Sequence, residues 1–305
     1  MTKKKFQAIG ALTLAAAIWG SSISITKLTL EYTPPFTFLF LRMALAGILV
    51  LPFFLRKVME RKYRLEDLKS MLIISLFGQT LHLSFFYLGV ERTTALETII
   101  LTAFFPVLTV FGGVFFLKEK LTPKEIIGIS IIMVGVVSTL VPSIMELFRG
   151  ESLHFLGNAI LLLAGICWTG FVLTSKNLLE RYSPTDITLI GIYFGALTFA
   201  PLMIWEQFGT PTEFILSGAF PGILYMGIGS SIIAYSLYEF GLTRMEASNA
   251  DLFEYLVPVF AFVPAYLIFR EPLTLSFLIG ALLLVTGVVI CSQGVSGRRM
   301  KHPRI

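Results

Sequence analysis

Charge is scarce in this sequence. Of its 305 residues only 14% are Asp, Glu, Lys or Arg, where a soluble domain carries about 25%, so an ordinary water-facing surface cannot be built from it. Cysteine occurs twice, as Cys167 and Cys291, with no CxxC pair; neither a disulfide framework nor a thiolate metal site is indicated, and the two read as packing residues. Histidine occurs three times, as His82, His154 and His302. Without an HExxH or paired aspartates inside the apolar runs, metal-dependent and aspartyl hydrolysis lack their parts, which makes a membrane-embedded enzyme the weakest reading. No GxxxxGK[ST] loop is present, and the nearest Gly-rich piece, MGIGSSI around Gly227, lies in an apolar run and lacks a third glycine. The sequence thus offers no ATP, metal or cofactor site.

What the chain has in abundance is apolar length, 55% of all residues. Runs of about 20 residues, each able to cross a hydrocarbon core of about 30 Å as a helix, recur along the whole chain. Ten are expected: Phe6 to Thr26, Pro35 to Leu55, Leu68 to Val90, Thr94 to Leu117, Glu125 to Val141, Phe155 to Ser175, Asp186 to Trp205, Phe214 to Phe240, Glu246 to Phe269 and Leu273 to Ser292. The fold class is an all-α integral membrane protein whose connections are too short for a soluble domain. MTKKKF followed by an apolar run with Ala15 to Ala17 resembles a signal peptide, a reading the repeat below removes.

The formal charge of +5 does not indicate nucleic acid, because the cations sit at the ends of the runs. With the N-terminus inside, 19 of the 24 Lys and Arg fall on the cytoplasmic side, and only Lys27, Arg92, Arg149 and Arg270 fall outside, with Arg42 inside a span. Positive residues favour the cytoplasmic side, so both termini are expected there, in a cell membrane.

The stretch AIWGSSISITK returns as GICWTGFVLTSK. Trp19, Lys27, Glu31, Pro35 and Pro52 match Trp168, Lys176, Glu180, Pro184 and Pro201 at a spacing of 149 residues. Gly89, Arg92, Ala95, Pro106, Glu119, Leu121, Thr122, Gly128 and Gly135 match Gly241, Arg244, Ala247, Pro258, Glu271, Leu273, Thr274, Gly280 and Gly287 at a spacing of 152. The chain therefore reads as one five-helix unit written twice, over 1–145 and 151–297, with a basic cytoplasmic tail at 298–305. Because five is odd, the second unit enters the membrane from the opposite side. Inverted repeats of this kind belong to many secondary transporters, where they give alternating access to a midplane site.

FFYLGVERTTALET, AFFPVLTVFGGVFFLKEKLTP and GISIIMVGVV, echoed by SLYEFGLTRMEASNA, YLVPVFAFVPAYLIFREPLT and GALLLVTGVV, resemble the EamA-type members of the drug/metabolite transporter superfamily. The marks are Pro106 and Pro258, Glu119 and Glu271, the Gly pairs of the fifth and tenth spans, and Arg42. The resemblance implies ten helices, a cavity lined mainly by the first, third, fourth, sixth, eighth and ninth, and export of amino acids, other metabolites or drugs. Small multidrug relatives use an acid in the first helix, and here none precedes Glu31. Phosphorylated cargo would need cationic cavity groups, for which Arg42 is the one clear candidate.

Polar residues present in one half only mark candidate sites. His82 maps to Ala234, Glu97 to Asn249, Arg42 to Gly191, Asp251 to Ile99 and Glu254 to Thr102, and ionisable groups inside a membrane normally face a cavity or a partner. Arg42 either pairs with Glu97 or meets a substrate carboxylate. Gln79, His82 and Phe86 share a helical face, a candidate cavity wall, and His82 either relays a proton or bonds a backbone carbonyl. Asp251 and Glu254 lie one turn apart; they are solvated near the span end or else face cationic or zwitterionic cargo. Trp19 and Trp168 are cavity aromatics or fold packing, and Gly191 and Gly195 allow close helix contact.

The sequence thus leads to a secondary transporter that exports small metabolites such as amino acids, with substrate binding at Trp19, Gln79, His82, Phe86, Glu97, Trp168 and Glu254. Arg42, Glu97, His82 and Asp251 are its coupling or ion-pair candidates. Its partners are a small-molecule substrate, the lipid bilayer and a coupling proton or exchanged solute. The alternative is a multidrug transporter or lipid flippase.

Overall fold

The computed structural model describes residues 3–60, 64–118, 121–148, 153–209, 216–245, 250–270 and 275–295. Glu119, Glu246, Ala247, Glu271, Leu273, Thr274 and the basic tail lie outside the described residues, as does the side chain of Cys291. Every regular element is helical among the described residues. The helices are α1 (Lys3–Thr29), α2 (Pro35–Met59), α3 (65–92), α4 (95–116), α5 (Pro123–Phe148), α6 (Leu153–Leu178), α7 (Pro184–Gly209), α8 (216–242), α9 (252–269) and α10 (Leu275–Val295). Seven stretches in the described residues are long and apolar enough to cross a membrane.

Four helices are not regular. In α3 the stretch Leu76–Leu81 is a π-helix, and in α8 so is Tyr225–Ala234. These are equivalent positions of the two halves, and each extra residue turns the helix face that follows it. The expected unbroken fourth span is instead two pieces, Ala95–Thr102 and Phe105–Phe116. Pro106 sits in the first turn of the second piece, where its missing N–H costs nothing but where the preceding backbone is pushed from the α region. Its counterpart Pro258 follows a 3₁₀ turn, Leu252–Tyr255, at the equivalent place in α9. The shared prolines thus break both helices at matching points.

The equivalent helices α2 and α7 are tied at both ends. At the start of α2 the Glu206 carboxylate accepts the amides of Phe36 and Thr37 at 3.1 and 2.7 Å, and the Thr37 hydroxyl at 2.9 Å. These are donors that a helix N-terminus leaves unpaired. At the other end Lys57 Nζ donates to Asp186 Oδ1 at 2.8 Å, and Asp186 also accepts from Ser183. A 25-residue helix is about 37 Å long, so the ties sit on opposite faces of the protein and the two helices are antiparallel. One half is therefore inverted relative to the other.

The glycines shared by α5 and α10 hold these helices at backbone contact. A β-carbon on Gly135 would stand 2.9 Å from the Gly280 carbonyl oxygen, and one on Gly287 would stand 2.6 Å from that of Gly128. Around the centre, α1 packs chiefly against α8 and α9, and α6 against α3 and α4. Two bundles result, and the candidate site lies between them.

Candidate functional site

The two tryptophans of the repeated stretch meet. Trp19 and Trp168 stand edge to face, with ring centroids 5.4 Å apart and planes at 89°, the arrangement that aromatic quadrupoles favour. Tyr235 and Tyr238 pack on Trp19 at 5.2 and 5.4 Å, and His82 lies 5.1 Å from the Trp168 ring. Beside this cluster is a cavity of about 70 Å³, room for a few waters. Trp19, Arg42, His82, Phe86, Trp168 and Glu254 all line it, together with Tyr87, Thr102, Ser230 and Tyr235. Glu254 and its counterpart Thr102 reach it because the helix breaks next to Pro258 and Pro106 place them there.

Arg42 is buried, with 1% of its surface exposed, yet its partners are neutral. Its Nε and Nη2 donate to Ser231 Oγ at 3.0 and 2.8 Å, Nη2 to Ser230 Oγ at 3.3 Å, and Nη1 to Tyr87 OH at 2.6 Å. The π turn of α8 supplies both serines, with Ser231 Oγ itself donating to the Met226 carbonyl five residues back. Hydroxyls orient a guanidinium without neutralising it. No carboxylate pairs with Arg42 among the described residues, which leaves a cation whose burial calls for an anion.

The expected Arg42–Glu97 pair is therefore not formed. Glu97 sits at the start of α4 in a capping box with Thr94, and it accepts from Thr93 Oγ1 at 2.5 Å and from Asn158 Nδ2 at 3.4 Å. That binds α4 to α6 and places Glu97 away from the cavity lining. Gln79 is also away from it. The π stretch turns its side chain against α7, where β-carbons on Gly191 and Gly195 would stand 3.2 and 3.5 Å from it. Asp251 is fully buried rather than solvated at a span end. Its Oδ1 accepts Trp168 Nε1 at 3.0 Å and Tyr238 OH at 2.6 Å, which joins α9 to α6 and α8. His82 Nδ1 lies 3.0 Å from the Ala164 carbonyl. Tyr87, Ser230 and Ser231 carry no mark in the sequence, where hydroxyls in apolar runs are commonplace; their one signal is their position opposite Arg42.

The repeated lysines bridge the two bundles at opposite faces. Lys27 of α1 donates to the carbonyls of Val90 and Thr93 at the turn between α3 and α4. Lys176 of α6 donates to those of Leu242, the last residue of α8, and Met245 beyond it, the residues equivalent to Val90 and Thr93. Each contact spans the seam between the bundles on its own side of the cavity. With Thr102→Cys as a reporter in a chain lacking Cys167 and Cys291, Lys27→Met is expected to speed labelling by an impermeant thiol reagent about tenfold from the Lys27 face alone. Lys176→Met is expected to do so from the other face, since a charged hydrogen bond contributes about 1.5 kcal/mol. Unchanged labelling in both variants would remove the lysines from any gating role.

Comparison with known proteins supplies the family. The EamA-like transporter family matches residues 7–141 and again 155–293. An "uncharacterized transporter" of Archaeoglobus fulgidus is 24% identical over 92% of this chain and 95% of its own length. The Bacillus subtilis "uncharacterized transporter YetK" is 29% identical over 95% of this chain and 88% of its own. A "probable terminal-alkyne amino-acid exporter" of Streptantibioticus cattleyicolor is 22% identical over 97% of both chains. One solved crystal structure shares the fold with a TM-score of 0.69, at 17% identity over 93% of this chain and 96% of its own. With its apolar helices and its doubled domain, this multi-pass protein of the cell membrane belongs to the EamA-like transporter family.

Proposed function

We propose that the chain is a secondary transporter exporting small zwitterionic metabolites such as amino acids by alternating access through the central cavity. One observation carries the reading: a buried Arg42 with only neutral partners shares the cavity with the carboxyl of Glu254. An α-carboxylate on Arg42 and an α-ammonium on Glu254 would neutralise both groups at once, with Trp19, Phe86 and Trp168 around the side chain. His82 is a further contact from the same wall. The likeness to an amino-acid exporter agrees with this cargo class. Ten crossings, with the Lys176 face and both termini cytoplasmic, follow from the distribution of Lys and Arg, and 1–145 and 151–297 serve as the two units. The transporter relatives and the doubled family match support transport rather than enzymatic turnover.

A second reading rests on a groove of about 280 Å³ between α4, α9 and α10, lined only by apolar residues such as Ile99, Pro258, Phe262 and Leu278. It suits passage of a lipid or amphiphilic drug. Metabolites in the medium of overproducing cells decide between the two. Amino acids enriched with the wild type, and not with Arg42→Ala at equal membrane levels, support the zwitterion reading. Enrichment of lipid alone overturns it.

A further inference from the structure

Glu239 lies in α8, outside the cavity lining. It is fully buried, and neither carboxyl oxygen has a hydrogen-bond partner among the described residues. Its polar neighbour is Ser175 of α6, whose hydroxyl is also buried and without a hydrogen bond. Ser175 precedes Lys176, the residue that closes this face onto Leu242 and Met245. The carboxyl therefore sits beside the junction between the two bundles, within one turn of the contact that spans the seam at that face.

Among the described residues no neighbouring charge is shown paired with it. On α6, Lys176 is bound to the two carbonyls; on α7, Asp186 is bound to Lys57; α1 has no ionisable residue between Phe6 and Thr26. From α9, Asp251 is taken by Trp168 and Tyr238, and Glu254 faces the cavity. Within α8, Tyr235 donates to the Gly78 carbonyl, and just beyond its end Arg244 is stacked 3.4 Å over the Phe240 ring. An ionised carboxylate in this setting would lose its hydration and gain at most the Ser175 hydroxyl in return. The symmetry is broken here too: the counterpart of Glu239 is Tyr87, which Arg42 holds, while the counterpart of Arg42 is Gly191.

We propose that Glu239 is the proton-binding site of the transport cycle, protonated while the Lys176 contact is closed and releasing its proton to water when that contact parts. Opening of this face is then tied to loss of one proton, and closing to its recovery from the same aqueous side. The coupling half of this inference rests on the transport reading above; the protonation half does not.

Two measurements on the full chain in lipid separate these halves. First, infrared spectra at neutral pH are compared between wild type and Glu239→Gln. A protonated carboxyl C=O band present in the wild type and missing from the variant is the expected result; identical bands mean that Glu239 is ionised, and overturn the proposal. Second, proteoliposomes are loaded with radiolabelled L-amino acids. A proton given up and recovered on one side is not carried across the membrane. Its signature is exchange that slows, by up to about tenfold per pH unit, as the solution at the Lys176 face is acidified, and Glu239→Gln is expected to lose this pH response while keeping amino-acid exchange. A variant that keeps the pH response overturns the proposal. A wild type that moves no amino acid overturns the cargo assignment instead, and the infrared result then decides Glu239 alone.

Discussion

Replacing Arg42 with Ala is expected to lower transport of a carboxylate-bearing cargo on the order of a hundredfold at sub-saturating concentration. Loss of one partner from a buried, hydrogen-bonded charge pair costs about 3 kcal/mol, and each 1.4 kcal/mol is tenfold. Arg42→Lys is expected to recover little, because a single ammonium cannot span Tyr87, Ser230 and Ser231 while presenting a flat two-pronged face to a carboxylate. Stability should move the other way. The guanidinium has no carboxylate partner among the described residues, so its removal relieves an uncompensated buried charge and leaves only neutral hydroxyls behind. Thermal melting of the purified Arg42→Ala chain should then match or exceed the wild type. Transport lost together with a lower melting point would make Arg42 a structural residue and withdraw the carboxylate site.

The largest loss of stability is expected at Gly20, next to Trp19. A β-carbon there would stand 2.6 Å from the Val257 carbonyl oxygen, 2.8 Å from Phe260 Cβ and 3.0 Å from the Ala261 nitrogen. These are backbone and first side-chain atoms, which cannot rotate aside, so α1 and α9 must separate. Overpacking typically costs 1–3 kcal/mol; Gly20→Ala is expected at about 3 kcal/mol, and Gly20→Leu at more. Val257 lines the cavity, so the shift also displaces one of its walls. Gly10 provides the control on the same helix: nothing lies within 4 Å of its would-be β-carbon. Gly10→Ala should be neutral or stabilise by about 0.5–1 kcal/mol through helix propensity. Equal melting points for the two alanine variants would deny the close α1–α9 approach.

Much of this architecture is legible in the order of residues, because a repeat declares itself by spacing alone. Trp19 with Trp168 and Lys27 with Lys176 stand out as pairs, and each pair has a joint role in the structure. The tryptophans form the central ring contact, and the lysines bridge the bundles. Of the residues that broken symmetry singles out, Arg42, His82 and Glu254 line the cavity. Gln79, placed on the His82 face by helical spacing, is not among the lining residues, because that spacing assumes 3.6 residues per turn and the π stretch over Leu76–Leu81 violates it. Position in an apolar run places Glu97 in the interior. The Thr94 at its third preceding position is the capping signal that marks a helix start instead. Glu239, opposite Tyr87, meets the same one-half-only criterion but stands at the end of its expected run, Phe214 to Phe240, where ionisable residues are commonplace because they can reach water.

The lysine contacts carry a consequence for direction. Lys27 and Lys176 use the same side chain on the same pair of backbone acceptors, one at each face, so these contacts by themselves favour neither exit. A proton that Glu239 gives up and recovers on one side sets the rate of opening rather than a direction. A machine with matched doors has no built-in arrow. The sense of net flow then belongs to the concentrations the cell maintains on either side, and the same molecule placed under a reversed gradient should run backwards.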